Sequence, residues 1–475
     1  MLEKRFKLSE NNTTVKTEVL AGLTTFMTMA YIIALNPNIL TGYGAGGQEL
    51  WNGVFLATCI SSAVAMFVMA FLANKPFCLA PGMGLNSFMA VVIGNLMAMT
   101  GMGYVQSFQS MLCIILIEGV IFFILSLLNV REKIVDAIPL GIRMGISPAI
   151  GLMLMNIGLG SNVYIANSDG NQFFVMRDFF GALTAKFAKD TMGDAYPTMV
   201  LSVVTMFIGL FVIVVLASKG VKSAVIVGML CASVIYWIGD FALLGTNPFA
   251  SLTTASFVPA FGDMAATTLF KFNFQGLVEM GWFTAVTLVI TFCVIDMFDT
   301  IGTLVGTASR AGMVDHQGNM PNMKEALISD AVGTLVGSTT GTSTVTTFIE
   351  SASGVEAGGR TGLTALVCGL AFLACTFLSP IAAIIPAAAT SAALIYVGVL
   401  MMTGLKKVNF EDLSVCVPVA LMMIAMPISG SIGHAIGIGM ISYAVIKIAT
   451  GKIKEVSGLT LGIAIIFLIK FFLAI

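Results

Sequence analysis

Met199-Val-Leu-Ser-Val-Val-Thr-Met-Phe-Ile-Gly-Leu-Phe-Val-Ile-Val-Val-Leu216 carries no charged residue. As a helix rising about 1.5 Å per residue it nearly crosses a hydrocarbon core, which takes about 20 residues. Ser223–Gly239 reads the same way. Outward from these runs, 57% of the 475 residues are hydrophobic and only 10% are charged. A soluble domain carries roughly 25% charged residues because its surface meets water. Here the composition points to lipid as the solvent. The 49 glycines suit close helix packing and interrupted helices in a membrane.

The chain opens on a polar arm with Lys4, Arg5, Lys7 and Lys16, unlike the short apolar core of a signal peptide. A net charge of −1 offers no basic surface to neutralise phosphates, which argues against a nucleic-acid partner. The eight cysteines show no CxxC pair and no metal spacing, and read as small core residues. No GxxxxGK[ST] pattern supports an ATP-driven pump. Apolar runs recur from Thr17–Asn36 to Leu459–Ala474, one more than an even count allows. Pro427 and Gly430 mark a broken element between Leu413 and Ala449. Lysines and arginines at 4–16, 75, 131–133, 219–222, 310 and 406–407 fall on one side, which orients that side to the cytoplasm. Gly160–Pro197 reads as an external loop. Ile138-Pro139 precedes Gly151-Leu-Met-Leu-Met155 at the same distance that Ile385-Pro386 precedes Gly398-Val-Leu-Met-Met402, an echo compatible with inverted repeats.

Carboxylates inside spans are costly and therefore functional candidates: Glu118, Asp296, Asp299, Asp330, Glu350 and Glu356. In Ile290-Thr-Phe-Cys-Val-Ile-Asp-Met-Phe-Asp-Thr-Ile-Gly-Thr-Leu304, positions 296, 299, 300 and 303 share one helix face. Asp296, Asp299 and Thr300 thus offer polar groups to one place; the alternative is a buried polar cluster that glues helices. Ser338-Thr-Thr-Gly-Thr-Ser-Thr-Val-Thr-Thr-Phe-Ile-Glu350 is too β-branched for a good helix. It predicts an extended stretch with Glu350 opening a short helix over 349–357; the alternative is a packing helix. In Phe77-Cys-Leu-Ala-Pro-Gly-Met-Gly-Leu-Asn86, Pro81, Gly82 and Gly84 break a span and set Asn86 at the break. One broken span in each half points to a transport site, against simple kinks. His434 reads as a packed or hinge residue and His316 as a solvated one.

These segments, with Glu18-Val-Leu-Ala-Gly-Leu-Thr-Thr-Phe-Met-Thr-Met-Ala-Tyr31, Thr346-Thr-Phe-Ile-Glu-Ser-Ala-Ser-Gly354 and Glu356-Ala-Gly-Gly-Arg-Thr-Gly362, resemble the AzgA-like purine permeases, a branch of the nucleobase–cation symporters. The resemblance implies an all-α polytopic membrane protein of fourteen spans in two inverted seven-span repeats, with spans 3 and 10 broken by short strands. Residues 1–16 would form a cytoplasmic arm. Residues 17–137 (spans 1–4) and 281–380 (spans 8–11) would form a core domain. Residues 138–280 (spans 5–7 with external loops) and 381–475 (spans 12–14) would form a gate domain. It implies purine contacts at Asn86, Asp296, Asp299 and Glu350. Thr300 sits beside them, and Phe348 or Phe26 would supply a stacking face. The implied activity is import of hypoxanthine, guanine or adenine across the cell membrane by alternating access. A proton would be carried on Asp296, Asp299 or Glu350. Sodium coupling is the alternative, and an anion exchanger or channel of the same fold a more distant one. No enzyme chemistry and no cofactor are implied; a homodimer through the gate domain is compatible.

Overall fold

In hydrocarbon every backbone N–H and C=O must find its partner within the chain, so spans are helices wherever the sequence lets them be. The computed structural model describes the chain except for residues 1, 129–138, 161–192, 194–195, 254, 311–312, 314–319, 430–431 and 474–475. His316 and nearly all of the expected external loop lie outside the described residues. Among the described residues, eight helical stretches are long and apolar enough to cross a membrane. Shorter apolar helices include Trp282–Met297, Leu413–Ile428 and His434–Ala449. The chain is a multi-pass helical membrane protein.

In chain order its main elements are α1 (Val15–Met29), α2 (Ile32–Leu40), α3 (Gly47–Val68), β1 (Leu79–Pro81), α4 (Met83–Thr100), α5 (Tyr104–Leu127), α6 (Leu140–Leu159), α7 (Tyr196–Ser218) and α8 (Ala224–Gly239). There follow α9 (Trp282–Arg310), α10 (Met323–Thr340), β2 (Val345–Thr347), α11 (Ser351–Glu356), α12 (Gly362–Ala374), α13 (Ala387–Met401), α14 (Leu413–Ser429), α15 (Ile432–Ala449) and α16 (Gly458–Leu473). They form two compact units, Met1–Lys133 with Ser256–Ala382 and Ile134–Ala255 with Ala383–Ile475. The segment that begins at Ser256 is tied to the first unit. Asn52 Nδ2 donates to Asp263 Oδ2 (2.7 Å), Gln109 Nε2 to the Thr267 carbonyl (2.9 Å) and the Phe270 N–H to the Thr339 carbonyl (2.8 Å).

Within the first unit, Pro81 and the threonine run stop two helices and leave bare backbone at depth. The two breaks satisfy each other. β1 and β2 pair antiparallel, Leu79 opposite Thr347, Ala80 opposite Thr346 and Pro81 opposite Val345. The Gly82 N–H donates to the Thr344 carbonyl (3.0 Å) and the Phe348 N–H to the Cys78 carbonyl (2.9 Å). Because the strands are antiparallel, α4 and α11 leave from opposite ends of this short ladder. α10 ends at Gly341, whose φ of 112° only glycine adopts freely and against which Thr268 packs. Around the ladder α1 packs on α12 and α9 on α5, α3 on α12 and α10 on α5, and α3 on α10.

Within the second unit, α13 packs on α6 and α7, and α6 in turn on α14. The α6–α13 contact is backbone to backbone. A β-carbon added to Gly151 would lie 2.5 Å from the Gly398 carbonyl oxygen, and one added to Gly398 would lie 2.6 Å from that of Gly151. Between Leu413 and Ala449 the chain forms two separate helices packed on each other. Pro427 sits inside α14, and Gly430 lies outside the described residues. Six cysteines are buried; Cys231 is exposed and Cys416 intermediate, and all are free thiols.

Candidate functional site

The strand pair gathers the polar side chains singled out in the sequence. α9 runs beside β2, and its Thr300 is a hub. Its Oγ1 lies 3.0 Å from Asp296 Oδ1, 3.0 and 3.1 Å from the two oxygens of Asp330, and 2.7 Å from Thr346 Oγ1. All four side chains are buried. Thr303, on the same face, turns its hydroxyl back onto the Asp299 and Thr300 carbonyls (2.7 and 3.0 Å). Asp299 stays partly exposed. Its Oδ2 would be 3.6 Å from a β-carbon at Gly82, which places it at the end of β1. Asp299 on α9 and Glu350 at the start of α11 therefore both stand beside the strand pair, on two elements that contact each other.

Glu350 occupies the turn between β2 and α11 and is also partly exposed. Tyr31, wholly buried at the junction of α1 and α2, donates its hydroxyl to Glu350 Oε1 at 2.8 Å. Among the described residues, no lysine, arginine or histidine lies within 4.0 Å of the Asp299 or Glu350 carboxylates. A neutral heterocycle with N–H groups can satisfy two such acceptors, and so can a proton or a small cation.

Asn86 is placed at the break as the sequence predicts, but its amide is engaged. Its Nδ2 donates to Asn36 Oδ1 (2.6 Å) and to the Pro81 carbonyl (3.3 Å), and its Oδ1 accepts from the Ser343 hydroxyl. Asn36 in turn donates to Thr58 (2.7 Å) and Thr342 (2.9 Å). Both hydrogens of each amide are therefore committed to holding α2, α3, α4 and the Thr342–Ser343 segment together. Phe348 is buried at the end of β2, and the Phe26 ring packs edge-on against Phe372 at 5.6 Å. Glu118 accepts from Thr344 Oγ1 (2.8 Å), bracing the entry to β2. Glu356 is exposed at the end of α11, away from this cluster of buried acids.

Sequence reasoning did not assign roles to Tyr31, Asn36 or Glu18. Glu18 is buried and accepts from the N–H groups of Arg360 (2.8 Å), Thr361 (3.3 Å) and Thr364 (3.2 Å) and from Thr364 Oγ1 (2.6 Å), a carboxylate cap on the start of α12. The signal for all three was a polar side chain within an otherwise apolar span.

The hub carries a prediction. Thr300→Val keeps the shape and removes a hydroxyl that lies against both Asp296 and Asp330. Leaving buried acids short of a donor costs about 1–3 kcal/mol. A lowered melting temperature of the purified protein is the expected result; an unchanged one would mean the hub adds nothing to stability.

Comparison with known proteins gives the following. The Permease family, in its xanthine/uracil permease form, matches residues 16–188 and 175–438. The adenine permease AdeP of Escherichia coli (strain K12) is 37% identical over 477 residues, covering 99% of this chain and 96% of that protein. The guanine/hypoxanthine permease PbuO of Bacillus subtilis (strain 168) is 36% identical over 477 residues, covering 98% of this chain and all of that one. Among solved structures, the transmembrane domain of the cyanobacterial bicarbonate transporter BicA superposes with a TM-score of 0.57 at 16% identity, over 89% of this chain and 97% of that one. At that identity the likeness concerns the fold alone.

Proposed function

The chain belongs to the Permease family, and from that premise we propose that it imports purine nucleobases in symport with protons. The observation that carries this reading is the placement of Asp299 and Glu350, on two contacting elements, beside the crossing of two broken spans, both partly exposed and neither paired with a basic side chain among the described residues. Hypoxanthine and guanine offer a ring N–H on each ring, and adenine one ring N–H and an amino group. Each hydrogen bond to a charged acceptor contributes about 1.5–3 kcal/mol, so two carboxylates suffice to hold an uncharged base. Asn86, expected to read another edge, contributes in this reading by fixing the ladder, because its amide hydrogens are already used. Phe348 remains the stacking candidate next to Glu350. The names of the relatives AdeP and PbuO support a purine as the cargo.

Proton coupling is supported by the two buried acids that meet at Thr300 Oγ1, Asp296 at 3.0 Å and Asp330 at 3.0 and 3.1 Å, since carboxyl groups inside spans mark proton relays. Asp296, Asp299 and Glu350 are the proposed proton carriers, with Asp330 sharing the hub. The reciprocal approach of Gly151 and Gly398, the positions of the sequence echo, supports two inverted repeats, for which the resemblance implies seven spans each. Those repeats would alternate access by motion of the core domain that holds the carboxylates. The basic N-terminal arm supports a cytoplasmic N-terminus in the cell membrane, and a homodimer through the gate domain fits the same plan.

Uptake of labelled hypoxanthine, adenine and guanine by cells expressing the protein tests the reading. Dissipating the proton gradient is expected to abolish uptake, and replacing sodium by choline to leave it intact. The reverse pattern would establish sodium as the coupling ion, and no uptake of any purine would remove the cargo assignment.

A further inference from the structure

α1 touches the Glu350 segment along one line of side chains. A β-carbon on Gly354 would run into Thr25 Oγ1 and lie 2.9 Å from the Ala21 carbonyl oxygen. Thr28 Oγ1 lies 3.0 Å from Ser353 Oγ, and Ser353 Oγ lies 2.7 Å from the Glu350 carbonyl oxygen. Tyr31 Oη closes the line on Glu350 Oε1 at 2.8 Å. Ala21, Thr25, Thr28 and Tyr31 are spaced three or four residues apart and so share one face. α11, only six residues long and preceded by a strand, has little of its own to fix the side chain that opens it. The first span supplies that support.

We propose that Tyr31 is the positioning residue for Glu350: its phenol holds one carboxylate oxygen so that the other is aimed at the purine. The inference rests on the proposed role of Glu350 as a substrate acceptor. A glutamate's terminal torsion is broad, and a free carboxylate samples many planes. A buried phenol with fixed ring orientation removes that freedom on one oxygen and leaves Oε2 free of that bond. Tyr31 touches the carboxylate and not the cargo, so it acts on affinity through geometry.

Tyr31→Phe keeps the ring and removes only the donor. The expected result is a rise of about tenfold in KM for purine uptake, the size of one lost hydrogen bond to a charged group, with maximal rate per transporter unchanged. A purely structural role would lower the maximal rate through loss of protein and leave KM alone. Glu350→Asp withdraws the carboxylate from the same phenol while keeping its charge, and reads the contact from the other side even where Tyr31→Phe accumulates poorly. It should raise KM as well, and Tyr31→Phe should add nothing on top of it in purine binding to purified protein. An unchanged KM in Tyr31→Phe, or full additivity of the two changes, overturns the inference. The reading on which it rests fails separately, by persistence of uptake in Glu350→Gln.

Discussion

Glu350→Gln is expected to reduce purine uptake by about 100-fold while the protein still reaches the membrane, and Asp299→Asn to do nearly the same. A factor of 100 corresponds to about 2.7 kcal/mol, within reach of losing one charge-assisted hydrogen bond and misplacing a second. The amide is nearly isosteric, so shape is preserved. What changes is chemistry: half of the amide is a donor, which meets a purine N–H head on, and no proton can be loaded on it. Tyr31 can still donate to the amide oxygen, but doing so turns the NH2 group toward the cargo. Glu350→Asp should be milder, since it retains the charge. The measurement is initial uptake rate of labelled base in cells lacking their own purine import, divided by the amount of transporter in the membrane. Uptake that persists unchanged in both neutral variants would falsify the proposed site.

Much of this site was legible in the sequence, and what was missed has a physical pattern. Helical periodicity alone brought Asp296, Asp299 and Thr300 to one face, because a helix fixes the spacing of its own side chains. Poor helix formers marked both breaks, and the strands fall at Leu79–Pro81 and Val345–Thr347. Partners distant along the chain were not legible. Tyr31 and Glu350 are 319 positions apart, and Asn36 and Asn86 meet only because α2 and α4 are adjacent. The engagement of Asn86 was invisible for the same reason: its donors are consumed by groups that the sequence places far away or gives no direction. The unit boundary at Ser256 depended on side-chain and backbone bonds from Asp263, Thr267 and Phe270 into α3, α5 and α10, and no composition change announces them.

Gly398→Val is expected to lower the amount of folded protein and its melting temperature more than any single change among the surface-facing glycines. At this position the backbones of α6 and α13 meet directly, with the Met155 side chain alongside. The added β-carbon would lie 2.6 Å from the Gly151 carbonyl oxygen, 2.7 Å from Met155 Cγ and 3.2 Å from the Met155 nitrogen. Met155 can swing its chain aside, but a carbonyl and a backbone nitrogen in a helix cannot, so the helices themselves must separate. Overpacking of that kind costs about 1–3 kcal/mol, more where backbone has to shift. Gly151→Val should produce a defect of similar size, since its β-carbon would lie 2.5 Å from the Gly398 carbonyl oxygen. The double variant should fall short of the sum, because helices already parted by one valine accommodate the second. Gly94→Ala on α4 provides the contrast. Nothing lies within 4 Å of a β-carbon there, and replacing a helical glycine by alanine stabilises by up to about 1 kcal/mol. Melting of purified protein, followed by loss of its monodisperse fraction on heating, reads all four variants. A Gly398→Val protein that melts with the wild type would mean that α6 and α13 do not meet at these two glycines, and the support they give to the proposed repeats would go with it.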